Sequence, residues 1–581
     1  MPAHHNNYAH PSARGRTRLL AVFVLLVGMI IVLKLGLVQI IQAREFKELA
    51  ERQYVQDDPN RFDRGTIFFE TKDGNKVSAA VTYSGFKAVA DPAKVTDEKA
   101  ACAAIAAALS KPDGLIDDCE IRLTKKTDRY EELAHHIEEP AAQSLVAQKI
   151  PGITLNREEW RYAPGQKLAA HLIGFVGSNG NEVAGRYGIE RSYDALLQRS
   201  SQDLYVNFFA QAFAKIREFT KPDTDDMPDG NVVTTIEPNV QSHLETALDS
   251  MVEKWHPDQI GGLVIDPNTG AIKALAVRPT FDVNNFREAS SNAVYTNPFV
   301  ENVFEMGSIV KPIIMAVGID AGKITPQTPF YDPGFVKVGP TTIHNFDNKG
   351  RGQITMTEVL SNSLNTGMVK VSQLVPKATM KSYLLHFGLG EKTGIDLPSE
   401  TKGLLSNLNT NRDIEYANMS FGQGIAVTPI EIVRALSAIA NGGYLVIPHT
   451  VDRIEYDYGF TKKMEYPKGD QIISAKTAED VTRMMTHVVD DVVDGGHSKF
   501  EHYTVAAKTG TAQVPAPNGG YYDDRNLHSF VGFFPAYDPK FLIFFYMVYP
   551  KGVKYASQSI APDFFQLSDF LIHYYEIPPD R

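Results

Sequence analysis

The chain has 581 residues, too many for one ordinary hydrophobic core, so its length predicts two or three domains. Apolar residues make up 43% of it and charged residues 22%, which is typical of folded globular proteins and excludes a largely disordered chain. The net charge of −11 argues against nucleic acid as a partner, because phosphate binding needs a basic surface.

An apolar stretch near the N-terminus is long enough to cross a membrane. It covers residues 19–41, and about 20 such residues span the hydrocarbon of a bilayer as a helix. Lys34 lies towards its end, where its side chain can extend to the interface. Three arginines and no acidic residue precede the stretch, so the positive-inside rule predicts a cytoplasmic tail, residues 1–18, and an outer location for everything after residue 41.

Two other interpretations of this stretch exist. A cleavable signal peptide would have a shorter apolar region and an A-x-A-like site, which the sequence QAREFKELAERQ after Ile41 lacks. A buried soluble helix would not explain the preceding arginines. We favour an uncleaved, single-pass anchor.

Residues 42–230 are predicted to form an α+β domain. Strand-like segments with an Asp-Gly turn occupy residues 61–92, helical segments occupy 97–148, and strands and turns return from residue 151. The polar sequence KPDTDDMPDG at 221–230 is rich in Pro, Asp and Gly, and it marks the boundary of the next domain.

Residues 231–581 are predicted to contain an antiparallel sheet flanked by helices. Two strands form an early hairpin around the turn PNTG, and three more lie in YTVAAKTGTAQV, HSFVGFFPA and KFLIFFYMVY. Helices dominate residues 305–440 between these two groups, and another helix ends the chain. The predicted fold class is a multi-domain α+β protein with a five-stranded antiparallel sheet in its second domain.

The chain has two cysteines, Cys102 and Cys119. They could form a disulfide if the domain lies outside the cytoplasm, or remain two free thiols, because the sequence does not give their distance. No cysteine or histidine spacing is typical of metal ligands, so we expect no metal and no other cofactor.

Ser308 and Lys311 are the first pair of residues that could carry chemistry. Three positions apart on a helix, they share one side of it. Pro312 follows, and proline is tolerated in a helix's first turn, so the helix is predicted to begin near Ser308. The apolar sequence IIMAVGI after it is typical of a buried helix. A desolvated Lys311 could lose its proton there and act as the base for Ser308.

Ser363 and Asn365 form the second group. They lie where a predicted helix ends and a small loop begins. The hydroxyl of Ser363 could relay a proton, and the amide of Asn365 could bind a substrate carbonyl.

Lys508, Thr509, Gly510 and Thr511 form the third group, inside a predicted strand. A strand can bind an extended peptide along its edge through backbone hydrogen bonds. Gly510 would let the substrate approach closely, while Lys508 and the two hydroxyls would attract a carboxylate.

Each of these patterns is weak by itself, because it recurs elsewhere in the chain. The set is specific because the three occur in this order and each in the element that its chemistry needs, a helix start, a loop and a strand. The recurrences are Ser84–Lys87, Ser399–Lys402, Ser290–Asn292 and Lys392–Gly394.

With these motifs the chain resembles the penicillin-binding proteins, which are serine D,D-transpeptidases. Arg61-x-x-Arg64-Gly65-x-Ile67 and Gly185-x-x-Gly188-Ile189-Glu190 resemble the non-catalytic pedestal domain of class B members. IDPNTGAIKALA, SFGQGIAVTP and SFVGFFPA resemble the catalytic part. The resemblance therefore implies a pedestal, or dimerisation-like, domain in 42–230 and a transpeptidase domain in 231–581.

Two positions depart from the family's usual pattern. Met306 stands where a proline usually precedes the Gly-Ser of the nucleophile, and Tyr162-Ala163-Pro164-Gly165 replaces the usual Y-P-x-G. Neither departure removes a catalytic group. They leave the rate and the affinity for antibiotics open.

The resemblance implies a role for each residue of the three groups. Ser308 attacks the carbonyl between the two D-alanines of a peptidoglycan stem peptide, and Lys311 takes its proton. Ser363 relays the proton to the leaving D-alanine, and Asn365 binds a substrate amide. The terminal carboxylate is held on residues 508–511, and the backbone N–H groups of Ser308 and Thr511 form the oxyanion hole. β-Lactams would acylate Ser308 and remain covalently attached to it.

The resemblance also implies a cellular setting. AVADP and HSFVGFFPAYDP favour the division, or septal, type over the elongation type. The chain would then be anchored in the cell inner membrane, with its N-terminus cytoplasmic and its bulk periplasmic. Its expected partners are a polytopic glycan polymerase of the SEDS family and other membrane proteins of the divisome.

Three rival functions share some of these features. A serine β-lactamase has the same three motifs but lacks a pedestal and normally an anchor, and it hydrolyses its acyl-enzyme quickly. A β-lactam sensor would need several transmembrane spans and a cytoplasmic output module. The residues before the stretch 19–41 are too few to form such a module. A non-catalytic division scaffold would not need three intact motifs.

Overall fold

The structure is a computed structural model that describes residues 62–109, 114–179, 182–199, 229–457, 459–496, 500–516 and 519–581, together with residues 22, 23, 25–29 and 34. The predicted tail 1–18, most of the predicted anchor 19–41 and most of the predicted boundary 221–230 lie outside these residues. Among the residues described, no helix has the length and apolar character needed to cross a bilayer. Residues Phe62–Arg581 form one compact unit.

The chain up to residue 199 alternates strands and short helices around a sheet. Its longest strand, β2 (Lys76–Ala90), pairs antiparallel with β1 (Ile67–Glu70), β3 (Glu131–Ile137) and β4 (Ile153–Tyr162). The elements are β1 (Ile67–Glu70), β2 (Lys76–Ala90), α1 (Glu98–Ala108), α2 (Gly114–Leu123), β3 (Glu131–Ile137), α3 (Glu139–Ala147), β4 (Ile153–Tyr162), α4 (Ala170–Ile173), β5 (Val176–Asn179), β6 (Glu182–Gly185), α5 (Gly188–Ser192) and α6 (Asp194–Leu197).

The prediction of helix throughout 97–148 is wrong in one place. The sequence EELAHHI forms the strand β3, which adds to the edge of β2. Its Leu133, Ala134 and Ile137 pack into the small core beneath α1 and α2. Pairing and burial here outweigh the helical preference of Glu, Leu and Ala, which is a weak local term.

The two cysteines are joined in a disulfide, with their Cα atoms 5.8 Å apart. Cys102 lies on α1 and Cys119 on α2, and both are buried. Of the two alternatives left open by the sequence, the structure has the bonded one.

The chain from residue 230 contains the predicted antiparallel sheet, whose strands lie in the order β16 (Ala506–Pro515), β17 (Tyr521–Phe534), β18 (Phe541–Val548), β8 (Gln259–Ile265) and β9 (Ile272–Arg278). The elements that follow α6 are β7 (Gly230–Thr234), α7 (Pro238–Trp255), β8 (Gln259–Ile265), β9 (Ile272–Arg278), α8 (Pro298–Glu301), α9 (Lys311–Asp320), β10 (Pro329–Asp332), β11 (Phe335–Val338), β12 (Thr341–His344), β13 (Gly352–Thr355), α10 (Met356–Ser361), α11 (Asn365–Leu374), α12 (Lys377–His386), α13 (Asp413–Met419), α14 (Pro429–Ala440), β14 (Val451–Tyr456), β15 (Thr461–Lys463), α15 (Ala475–His487), β16 (Ala506–Pro515), β17 (Tyr521–Phe534), β18 (Phe541–Val548), α16 (Ala556–Ser559) and α17 (Ala561–Tyr574).

This five-stranded sheet has a core on each face. The run FLIFFYM of the central strand β18 is buried along its length, because α9, α10 and α14 lie on one side of the sheet and α7 and α17 on the other. Residues 311–318 of α9 are all buried. The predicted multi-domain α+β class and the buried helix after Ser308 are confirmed.

Strand β7 connects the two halves of the compact unit. It pairs parallel with β1, where Val232 lies opposite Ile67, and antiparallel with β14, where Val232 lies opposite Ile454. The first strand of the predicted second domain therefore belongs to the same sheet as the first strand of the predicted first domain.

Candidate active site

Ser308 lies in a single 3-10 turn, Gly307–Val310, and α9 begins three residues later at Lys311. The turn is entered through Gly307 at φ +64°, a conformation that favours glycine. A Cβ at Gly307 would also come within 3.1 Å of the Thr511 carbonyl, so the turn packs directly against β16. Ser308 is partly exposed, while Gly307 and Ile309 on either side of it are buried.

The turn before Ser308 is tied to its surroundings by side chains and backbone. Ser529 Oγ donates to the Met306 carbonyl at 3.0 Å, and the Gly307 N–H donates to the Gly422 carbonyl at 3.1 Å. Met306 has φ −79°, which lies within the range of the proline that it replaces. A proline could adopt the same φ at this position, so the departure from the family pattern needs no change of φ here.

Lys311 is fully buried, and its ammonium nitrogen lies among oxygen atoms of the second motif. Nζ contacts the Ser363 carbonyl oxygen at 2.6 Å, Asn365 Oδ1 at 2.8 Å and Ser363 Oγ at 3.2 Å. The first two motifs thus form one cluster, although α9, the strands β10–β13 and α10 lie between them in the chain.

Ser363 occupies the loop between α10 and α11 in the left-handed region, with φ +55°. A non-glycine residue is strained there and persists only when its surroundings hold it. Asn365 begins α11, and its Nδ2 donates to the His344 carbonyl at 3.0 Å. Next to it, the buried Thr366 donates to Asp332 at 2.8 Å, which fixes the start of this helix against the lobe β10–β13.

Lys508 brings the third motif into the same cluster. It is fully buried, and its Nζ donates to Ser363 Oγ at 2.9 Å and to the Thr509 carbonyl at 2.9 Å. Its strand β16 is at the edge of the sheet, with β17 on one side. Thr509 and Thr511 on this strand are partly exposed, so an extended peptide could pair along the open edge.

Gly510 is required by packing within the protein. A Cβ on it would overlap Ser529 Oγ and lie 2.9 Å from the Met306 carbonyl oxygen. The absence of a side chain here therefore lets β16 lie against the turn that carries Ser308.

Burial lowers the pKa of both lysines. It lowers the pKa of Lys508 to about 7. The pKa of Lys311 is lowered well below its usual value by burial and, further, by the positive charge of Lys508. A neutral Lys311 has two N–H groups and one lone pair, and two of its three neighbours are carbonyl oxygens that can only accept. The two N–H groups can donate to those carbonyl oxygens, which leaves the lone pair of Lys311 to accept a proton from a hydroxyl, as a general base does.

Catalysis by this cluster should show a bell-shaped pH dependence. Above about pH 7 Lys508 loses the charge that attracts a substrate carboxylate, so acylation efficiency should fall by up to about tenfold per pH unit. Towards acid pH Lys311 gains a proton and acylation should fall again. Second-order acylation rates of a carboxylate-bearing β-lactam, measured across pH, test this. The variant Lys508→Arg keeps its charge, so its acylation rate should not fall between pH 7 and 9; thermal melting checks that it is folded. A wild-type acylation rate that stays constant from pH 7 to 9 would contradict the role given to Lys508.

His528 is a buried residue of the site region that belongs to none of the three motifs. It lies opposite Thr511 in the β16–β17 register. Its Nε2 is 3.1 Å from the Lys554 carbonyl, so Nε2 carries the proton, and Nδ1 accepts from the Ser559 hydroxyl at 2.8 Å. Burial lowers the pKa of His528 to about 4, which keeps the ring neutral.

These contacts orient Thr511. The segment that His528 holds includes Ala556, whose N–H donates to Thr511 Oγ1 at 3.3 Å. Because that oxygen accepts from Ala556, its own O–H remains available for a substrate oxygen. The sequence signal for this arrangement is weak, since only the strand register brings His528 and Thr511 together.

The recurrences of the three motifs lie elsewhere. Ser84 is exposed on β2, and Thr393 donates its hydroxyl to Glu400 at 2.6 Å in a separate loop. Ser399 accepts from Arg191 at 3.1 Å. In the part of the chain that the structure describes, no group of three His, Cys, Asp or Glu residues is arranged to hold a metal ion.

Comparison with known proteins gives matches along most of the chain. The sequence model of the penicillin binding protein transpeptidase domain matches residues 260–567, and that of the penicillin-binding protein dimerisation domain matches residues 63–208. The chain is 30% identical over 558 residues to the stage V sporulation protein D of Bacillus subtilis, a match that covers 94% of this chain and 84% of that protein.

Two further matches are more distant. The peptidoglycan D,D-transpeptidase FtsI of Escherichia coli is 26% identical over 488 residues, which are 82% of this chain and 77% of that protein. The crystal structure of penicillin binding protein 3 from Mycobacterium tuberculosis, complexed with aztreonam, superposes with a TM-score of 0.67 at 23% identity. It covers 90% of this chain and 98% of that one, and shows a likeness of fold.

Proposed function

The chain belongs to the penicillin-binding proteins, in the class B group that joins a dimerisation domain to a transpeptidase domain, and from this we propose that it cross-links peptidoglycan stem peptides through an acyl-enzyme on Ser308. One observation carries the assignment to this site. The Ser363 hydroxyl lies 3.2 Å from Lys311 Nζ and 2.9 Å from Lys508 Nζ, so residues from three distant parts of the chain share one proton-transfer group, and Ser308 lies in the turn that directly precedes Lys311.

The first half of the reaction forms the acyl-enzyme. Ser308 Oγ attacks the carbonyl carbon between the two terminal D-alanines, and its proton passes to the lone pair of Lys311. The carbon–nitrogen bond then breaks, and the amine of the terminal D-alanine leaves with a proton delivered through Ser363. Lys508 donates to the Ser363 oxygen, which leaves the Ser363 proton free to move.

The second half transfers the acyl group. The amine of a neighbouring stem peptide attacks the ester carbonyl of the acyl-enzyme and gives up one proton. The ester oxygen of Ser308 leaves with a proton from the same relay, and Ser308 and Lys311 return to their starting states. The net change is one peptide bond formed and one broken, and no cofactor takes part.

The substrate lies along the open edge of β16 in this proposal. Its terminal carboxylate is bound by Lys508, Thr509 and Thr511, and the backbone N–H groups of Ser308 and Thr511 stabilise the oxyanion. A β-lactam follows the same first half, but its ring-opened remnant remains attached and blocks the second half. The complex of the Mycobacterium tuberculosis protein with aztreonam supports this part of the proposal.

The proposal predicts a cross-linked product. Full-length protein in detergent, mixed with a donor stem pentapeptide and an acceptor stem peptide, should release D-alanine and form a cross-linked dimer detectable by mass spectrometry. A prior incubation with penicillin should stop both. Rapid hydrolysis of the penicillin, with no lasting adduct, would instead identify a β-lactamase. If the protein neither released D-alanine nor formed an adduct with penicillin, it would be a non-catalytic scaffold.

The cellular setting is a further part of the proposal. Residues 19–41 anchor the chain in the inner membrane, with 1–18 cytoplasmic and the bulk periplasmic. The Cys102–Cys119 disulfide supports this, because disulfides persist in oxidising compartments. The chain acts in septal wall synthesis beside a polytopic glycan polymerase of the SEDS family and other divisome membrane proteins, and an elongation role is the alternative.

A pair of fusions tests orientation and site of action together. Green fluorescent protein, which does not become fluorescent when exported unfolded, should form a bright midcell band when fused before residue 1. The same protein fused after Arg581 should stay dark. A bright C-terminal fusion would contradict the orientation, and an N-terminal fusion spread along the side wall would favour elongation.

A further inference from the structure

A cavity of about 640 Å³ lies where the first domain meets the segment between β9 and α8. Phe175, Gly185 at the end of β6 and residues of the α5 region form one side, and residues from the segment 286–295 form the other. Neither the three motifs nor the residues that position them line it. Its volume is in the range of ligand-binding sites.

Aromatic rings form the apolar part of this cavity. Phe175 stacks on Phe286 with 4.1 Å between ring centroids and an interplanar angle of 12°. Tyr295 meets Phe175 edge-on at 4.9 Å, and Tyr187 lies 5.3 Å from it. These rings come from both sides of the cavity, so they hold its shape, and the partly exposed faces of Tyr187 and Phe286 can contact a ligand.

Three arginines form the polar part, Arg186, Arg191 and Arg287. Within the described residues, none of their guanidinium groups has a carboxylate within 4 Å, whereas the chain as a whole carries a net charge of −11. Arg186 Nε donates to the Gly177 carbonyl at 3.1 Å, and its Nη2 is buried without a hydrogen-bond partner in that part of the chain. A buried donor left unpaired is costly, so it points to a missing acceptor.

The acidic groups near this cluster do not neutralise it. The carboxylate of Glu190, next to Arg191 in the chain, pairs with Arg64 and Arg161. Glu301 feels the charge of Arg191, but its carboxylate accepts the Asn297 N–H at 2.9 Å. Glu288 follows Arg287 and is exposed without an ion-pair contact to it among the described residues. The cavity therefore keeps three positive charges available to a ligand.

We propose that this cavity binds an anionic glycopeptide of the cell wall. Guanidinium groups bind carboxylates through paired hydrogen bonds, and aromatic faces pack well against the C–H faces of sugar rings. A wall fragment supplies both, because it joins sugars to a peptide with free carboxylates. The inference rests on the proposed function. It adds a second site, formed jointly by the two domains, at which the enzyme binds its polymeric substrate.

The test uses full-length protein in detergent whose Ser308 has first been acylated with penicillin, so that the catalytic cleft is blocked. A soluble disaccharide-tetrapeptide from digested peptidoglycan is titrated in by calorimetry. We expect saturable binding, weakened about tenfold or more in Arg186→Gln/Arg287→Gln. The control Arg483→Gln removes an exposed arginine on α15, paired with Glu479 and outside the cavity, and should bind like the wild type.

A ligand-side control avoids dependence on the folding of the variant. The same disaccharide-tetrapeptide with its carboxylates amidated should bind wild-type protein about tenfold more weakly or worse. The proposal would be overturned if the charged fragment did not bind, if both fragments bound equally, or if Arg483→Gln lost as much affinity as the double variant. If an acidic peptide without sugars bound as strongly as the charged fragment, the cavity would be assigned to a protein partner instead. Acylation measured on the same samples distinguishes a failure of this inference from a failure of the proposed function, since acylation depends on the Ser308 site and not on this cavity.

Discussion

Replacing Ser308 by alanine should abolish covalent labelling by a β-lactam, with a loss of at least about 10⁴-fold in acylation rate. Ser308 supplies the atom that becomes bonded to the acyl group, and the oxygens of the Ser363 and Thr511 hydroxyls already accept hydrogen bonds from Lys508 and from the Ala556 N–H. Intact mass spectrometry after incubation with penicillin measures the adduct, and peptide mapping locates it.

The matched control for this variant is Ser84→Ala, which removes the exposed serine of another Ser-x-x-Lys pattern on β2. It should be labelled like the wild type. A penicilloyl group mapped to a serine other than Ser308, or full labelling of Ser308→Ala, would exclude the acyl-enzyme assigned here.

Replacing Lys311 by methionine should slow acylation by about 10³-fold to 10⁴-fold while the protein stays folded. Methionine fits the buried volume but provides no lone pair for the proton of Ser308. It leaves the Ser363 carbonyl and Asn365 Oδ1 without one donor each, a cost of about 1–3 kcal/mol per group that burial of an apolar side chain partly offsets. Stopped-flow acylation and thermal melting separate the loss of rate from a loss of stability.

Lys402→Met is the control for this second variant. Lys402 belongs to the other loop with a Ser-x-x-Lys pattern and is exposed, so its loss should change neither the rate nor the melting temperature. If Lys311→Met acylated at close to the wild-type rate, the base would have to be another group, and Lys508 would be the first candidate, since its nitrogen also lies beside Ser363.

Periodicity and motif order made the central features of this chain predictable. The hairpin around PNTG and the three late strands alternate or run apolar as buried strands do, and all five appear in one sheet. Pro312 and the apolar run after it were enough to predict a buried helix behind Ser308, because proline is restricted to the first turn. The residue types of the three motifs were sufficient to suggest serine acyl transfer.

Other features depend on contacts between segments that are distant in the chain. The strand EELAHHI has the composition of a helix and becomes a strand because β2 offers an edge to pair with. The role of His528 follows from a strand register that sets it opposite Thr511, and the cavity with the three arginines exists because two domains meet there. Local sequence carries none of this information.

The sequence by itself determined which chemical groups this protein has, in which order, and on which kinds of element, because helix and strand periodicity and the first-turn rule for proline are local. Only the tertiary structure decided how the pKa values of Lys311 and Lys508 are lowered, and only it brought both side chains to one hydroxyl. A pKa depends on burial and on the distance between charges, and both are set by how α9, the 363 loop and β16 pack together.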